Sequence, residues 1–216
     1  MYAHLNRNQQ HNEMKKFNLT LVLLAAITAF ASAQTIGFNM SRGISTICPD
    51  YSNFKSSLNY AVGLGVFKTR PINSTLSVKS GINFTSIRSC LSVTDNAGEA
   101  IFIPEKYNYV SLPILLEKQF FGYSRTTRRA SHYTFEGGVL LSQLFHEKGY
   151  AQRVGNDFKT RAFNVGAQAA LQMVKPVKWE TSFAIGPEVK AYTTGQEHTS
   201  AAFYVGIRAD WKFGKY

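Results

Sequence analysis

The segment that most limits what this chain can fold into is its last one. Over residues 203–213, Phe203, Val205, Ile207, Ala209, Trp211 and Phe213 alternate without a break with Tyr204, Gly206, Arg208, Asp210 and Lys212. Successive side chains of a strand point to opposite faces, so this stretch presents one apolar face and one ionic face. At helical spacing both sets would be scattered around the axis. The period recurs upstream. Residues 178–191 set Trp179, Thr181, Phe183, Ile185, Pro187, Val189 and Ala191 against Lys178, Glu180, Ser182, Ala184, Gly186, Glu188 and Lys190. Residues 163–173 do the same, and further strands are expected at 133–145, 107–121, 76–86, 58–67 and 35–41, eight in all.

The N-terminus indicates the compartment. From Met14 the chain reads Met14-Lys15-Lys16, then an apolar stretch from Leu19 to Phe30, then Ala31-Ser32-Ala33. A basic start, a short apolar core and an A-x-A site form a signal peptide. The apolar stretch is too short for a membrane-spanning helix, which needs about 20 residues. Residues 14–33 are thus expected to be a signal peptide, 1–13 an over-extended start, and 34–216 the mature domain. No Cys follows the cleavage site, which argues against a lipid-anchored form.

The mature segment contains no apolar run long enough for a transmembrane helix. Only a closed sheet otherwise satisfies its backbone inside lipid. The expected fold is therefore all-β, an antiparallel up-and-down transmembrane β-barrel of about eight strands. Connections at 68–74, 122–131 and 175–177 are shorter than those at 42–57, 87–106 and 146–160, while the last, near 194–197, is short. Short periplasmic turns and longer outer loops are the habit of such barrels. Pro113 and Pro187 fall inside expected strands, where the missing N–H implies a bulge or locally weak pairing.

The chain carries a net charge of +11, which raises the question of nucleic acid. Without residues 1–33 it keeps 21 basic and 12 acidic residues, a net charge of +9. No interleaving of basic and aromatic residues resembles an RNA-binding surface, and export disfavours nucleic acid further. On the strand map Lys79, Lys190, Arg208 and Lys212 face Glu117, Glu136, Glu180, Glu188 and Asp210 on the inner surface. Such a set fills a narrow lumen with ion pairs; the alternative is a polar path for small solutes. Arg42, Lys55, Arg88, Lys148, Arg153, Lys159 and Arg161 are expected at the outer rim. There they can meet lipopolysaccharide phosphates or stand solvated.

Cys48 and Cys90 both fall in expected outer loops, and an even count in an exported chain suggests a disulfide. It would close a 43-residue interval. Ser142 or Ser200 could be combined with His146 or His198, but no G-x-S-x-G elbow supports a nucleophile. No enzyme activity, metal or cofactor is expected.

Several segments resemble the outer-membrane β-barrel domain common in Bacteroidetes, the PorT-like family. They are Ile36-Gly37-Phe38-Asn39-Met40, Tyr109-Val110-Ser111-Leu112-Pro113-Ile114-Leu115-Leu116-Glu117-Lys118, Phe135-Glu136-Gly137-Gly138-Val139-Leu140-Leu141, and the aromatic end at Trp211 and Phe213. The Tyr-x-x-Leu-Pro-Ile-Leu-Leu pattern is the most specific. The resemblance implies an outer-membrane location and a structural, interaction or secretion-accessory role. It implies as partners outer-membrane lipid, the barrel-assembly machinery during biogenesis, and secretion or envelope proteins. Two other readings stay open: a narrow channel, and a soluble periplasmic barrel binding lipid inside. A barrel of the second kind would carry its aromatics inside and its charges outside.

Overall fold

The computed structural model describes residues 35–48, 54–94, 100–120, 131–148, 163–178, 180–194 and 200–214. The segments expected as 1–13 and as a signal peptide at 14–33 lie outside these residues, as do Arg153, Lys159, Arg161 and His198. Eight strands follow in chain order: β1 (Thr35–Cys48), β2 (Phe54–Pro71), β3 (Leu76–Thr94), β4 (Ala100–Phe120), β5 (His132–Lys148), β6 (Phe163–Lys178), β7 (Thr181–Thr194) and β8 (Ser200–Gly214). Each pairs antiparallel with its neighbour in sequence, and β1 pairs with β8 from Thr35↔Gly214 to Cys48↔Ala201. The sheet is a closed up-and-down barrel and leaves no edge strand unpaired.

Most strands run past their expected ends, most clearly at one end of the barrel, while β4 stops one residue short of 121 and β7 begins three residues after 178. Residues 42–48, 54–57, 87–94 and 100–106, expected as loops, belong to β1 through β4. Strands β3 and β4 reach 19 and 21 residues, about twice the 9–11 a tilted spanning strand needs. At the other end the turns are tight. Between β2 and β3 the Asn73 Oδ1 accepts from the backbone N–H groups of Thr75 (3.0 Å) and Leu76 (2.8 Å), an Asx turn. Between β6 and β7, Glu180 O accepts from Gly214 N–H at 2.9 Å. Gly214 has φ 130°, a conformation that glycine adopts without steric cost.

Neither proline bulges its strand. The β3–β4 ladder skips Gly81 and Ile82 opposite Pro113 and Leu112, then resumes in the same register. The β6–β7 ladder likewise skips Leu171 and Gln172 opposite Gly186 and Pro187. Weak pairing on one side absorbs each missing donor, while Pro113↔Leu140 and Pro187↔Ile207 hold on the other. The register shifts lie elsewhere, at Leu58/Val62, Asn108/Tyr109 and Pro176/Lys178.

The first of these shifts leaves the Arg88 backbone without a partner on β2. Ser45 of β1 replaces that partner: its Oγ donates to Arg88 O at 2.6 Å and accepts from Arg88 N–H at 3.2 Å. Ser45→Ala therefore removes the partner of two part-buried backbone groups. We expect it to cost about 1–3 kcal/mol per group left unsatisfied, measured as a lower urea midpoint of the folded barrel.

Candidate functional site

Parity along each strand sorts the side chains into two shells. Ile36, Phe38 and Met40 on β1, Val62, Leu64 and Val66 on β2, and Phe203, Val205 and Ile207 on β8 all point outward and are exposed. Among the described residues thirty large apolar side chains are exposed, all but Ile72 of the β2–β3 turn on strands, far more than the scattered few that an ordinary surface carries. Aromatic rings gather near one end of this band. Phe38 lies 6.2 Å from Trp211 and 6.1 Å from Phe213, and Phe183 meets Trp211 edge-on at 5.1 Å. Toward the other end Phe84 packs on Phe145 at 5.5 Å. Arg42 interrupts the band on β1 between Met40 and Ile44; its long stem allows the charge to snorkel outward.

The inner shell has two layers. Toward the chain termini it is ionic. Lys79 Nζ bonds Glu136 Oε1 at 2.8 Å and Asp210 Oδ2 at 2.5 Å. Arg208 Nη2 bonds Glu136 Oε2, while Nη1 reaches Glu188 Oε1 at 3.0 Å. Arg208 Nε stands 2.8 Å from Asp210 Oδ1. Lys190 lies 3.3 Å from Glu188, and Lys212 bonds Glu117 at 2.6 Å. Gln168 Nε2 adds a further bond to Glu188 Oε1 at 2.8 Å.

Four cations thus face four carboxylates, and the set is neutral. The contacts run between strands that are not neighbours, β3 to β5 and β8, and β8 to β5, so they cross the lumen. Small inward residues make this crossing possible. A Cβ on Gly37 would lie 2.5 Å from Phe67 Cζ; without it, the ring lies flat inside and Lys79 Nζ sits 3.9 Å over its centroid.

Toward the loop end an apolar and aromatic cluster joins buried polar residues such as Ser45, Ser89 and Glu105, where sequence reasoning expected polar filling. Tyr109 of β4 stacks on Tyr192 of β7 with centroids 4.7 Å apart, and Tyr107 lies 6.4 Å from Tyr109. Ile47, Ile87, Leu140, Leu144 and Ala202 close around them. An eight-stranded barrel is just wide enough for its side chains to fill.

The remaining expected residues are placed as follows. Glu180 is not in the lumen: it stands exposed in the turn ahead of β7, because that strand begins at Thr181 rather than at 178. Cys48 and Cys90 are not joined by a disulfide. Cys48 ends β1 on the side paired to Ala201 of β8, Cys90 pairs with Ser57 of β2, and β2 lies between β1 and β3. Ser142 is buried in the lumen and hydrogen-bonds Ser111 at 2.8 Å. Among the described residues no three metal-ligating groups converge.

No family model matches the chain, and no curated protein sequence matches it. Solved structures with a similar chain path include the outer membrane protein OprG from Pseudomonas aeruginosa, at 15% identity and TM-score 0.47, covering 84% of this chain and 97% of that one. Ail, the attachment invasion locus protein of Yersinia pestis, is 11% identical at TM-score 0.39, covering 84% and 99%. The outer membrane protein AlkL, solved in DMPC bilayers, is 11% identical at TM-score 0.34, covering 85% and 93%.

Proposed function

We propose that this protein is a β-barrel of the Gram-negative outer membrane with a closed lumen. Its role is structural, in interaction or as a secretion accessory, exercised through its outer end. One observation carries the reading: the barrel is inside-out relative to a soluble one, with a band of exposed apolar side chains outside and eight ionic side chains paired within. In water such a band costs about 25 cal/mol for every Å² of apolar surface left wet, whereas hydrocarbon removes that cost. The resemblance of residues 109–118 to the PorT-like family belongs to the same proposal. In the barrel those residues sit on β4, with Tyr109 in the aromatic stack and Leu112, Ile114 and Leu116 on the outward face.

The test is fractionation followed by gel migration with and without boiling. Outer-membrane recovery with a band that shifts on boiling is the expected result; a soluble periplasmic protein with no membrane association overturns it. A narrow channel is the second reading, favoured by the polar lower lumen. The ion-pair layer and the Tyr109–Tyr192 stack both cross the lumen. Planar-bilayer recordings of the purified barrel are accordingly expected to show no unitary current steps, and regular steps would restore the channel reading.

A further inference from the structure

Like charges placed directly opposite one another on neighbouring strands repel, and a pair of them on an exposed wall is a complement for an anion. The loop end of the barrel carries such a pair. Arg88 on β3 is the register partner of Lys106 on β4. Both share the outward parity of Phe84 and Ile114. Facing Cβ atoms on antiparallel strands are about 4.5–5.5 Å apart, so the two cations stand side by side on the wall. The outward positions flanking the pair on β3 and β4 are Ser86, Cys90, Pro104 and Asn108, none of them a carboxylate.

Arg88 is held in place. Its guanidinium lies 4.2 Å from the Tyr60 ring centroid, its Nη1 donates to the Tyr60 hydroxyl, and its backbone is tied to Ser45. A side chain fixed in this way loses less entropy when it binds. Toward the middle of the barrel from these cations come the Phe84–Phe145 pair and then the outward Ile82, Val110 and Ile114. Along the wall the order is therefore apolar band, aromatic pair, cations, which matches acyl chain, interface and phosphate.

We infer that Arg88 and Lys106 bind the phosphate of a lipid headgroup in the outer leaflet. Arg88 is the preorganised fork, and Lys106 is a point charge. The pair faces away from the lumen and is continuous with the apolar wall, so the acyl chains of the same molecule have a surface to lie on. A soluble anion would gain nothing from that wall. This inference rests on the membrane reading proposed above.

The test uses the full barrel in detergent, titrated by native mass spectrometry with phosphorylated lipid A and with the same lipid after enzymatic dephosphorylation. The variants are Arg88→Gln and Lys106→Gln, singly and together. Lys68→Gln with Arg70→Gln at the opposite rim serves as the control. Each basic residue near an anionic lipid surface contributes about five-fold in affinity, so the double variant should bind the phosphorylated lipid about 25-fold more weakly. The control pair should bind as the parent does, and dephosphorylated lipid should bind parent and double variant alike. Equal binding of phosphorylated lipid by parent and double variant would overturn the site. Full competition by inorganic phosphate at equal concentration would overturn the lipid in favour of a soluble anion. All variants are scored on protein with the heat-shifted band. Parent protein lacking that band refutes the membrane reading itself, a failure distinct from loss of the site.

Discussion

Arg208→Met is expected to destabilise the barrel by about 3–5 kcal/mol, the range for removing one partner of a buried ion pair. The urea midpoint of the heat-shifted band measures it. Arg208 is 1% exposed and reaches Glu136, Glu188 and Asp210. Without it, the bonds left to those three carboxylates include Lys79, shared between Glu136 and Asp210, and Lys190 and Gln168 on Glu188. The neutral set becomes one charge negative in a space closed above by the tyrosine stack. Adding Glu136→Gln to Arg208→Met restores neutrality and should recover part of the loss, which a purely volumetric effect of methionine would not. Lys212→Gln should cost less, because its partner Glu117 is 11% exposed and within reach of water, whereas the partners of Arg208 are fully buried. A loss under about 1 kcal/mol for Arg208→Met, the level of an exposed pair, would mean that the lumen is wet, and the case for a closed barrel would fall with it.

The lower half of the lumen was legible because period 2 assigns a face to every residue. Once Phe203, Val205 and Ile207 are placed outside, Arg208, Asp210 and Lys212 must be inside. The partners of Arg208 were legible only as a set; which carboxylate meets which cation depends on how strands are staggered around the barrel, and no local pattern encodes that. Glu180 shows the limit of parity, since a strand end misplaced by three residues moved it from turn to lumen.

The extended walls were missed for a different reason. Above the apolar band the outward face no longer needs to be apolar, so Arg88, Cys90, Pro104 and Lys106 read as loop although they are paired strand. There the alternation inverts, with Tyr107, Tyr109, Ile87 and Ile47 inside, and a pattern search tuned to apolar-outside passes over it. The β2 shift at Leu58/Val62, and with it the role of Ser45, has no signature of its own: any short hydroxyl residue would read the same. The two cysteines were placed in neighbouring loops, but β1 and β2 continue as wall there and set β2 between them.

Val139→Arg separates a membrane barrel from a soluble one most sharply. Val139 is 46% exposed, outward on β5, with Ile114 and Ala167 as its register partners on either side. If the band faces water, exchanging a half-exposed valine for arginine changes stability by no more than about 0.5 kcal/mol, as surface substitutions usually do. Arginine would even improve solubility. If the band faces hydrocarbon, an arginine near mid-band costs about 2–4 kcal/mol, because the charge must snorkel past Ile114 and Leu141 or draw water into the lipid. The sign of the solubility change and the size of the stability change thus move in opposite directions under the two readings. Folding into lipid vesicles, followed by the boiling-dependent gel shift across a urea series, measures the second. Val139→Leu distinguishes this from a general intolerance of substitution at that position: it keeps the outward surface of β5 apolar and should stay within about 0.5 kcal/mol of the parent under either reading. A Val139→Arg barrel as stable as its parent would place water, not lipid, against β5, and the outer wall would then have to be covered by something other than a membrane.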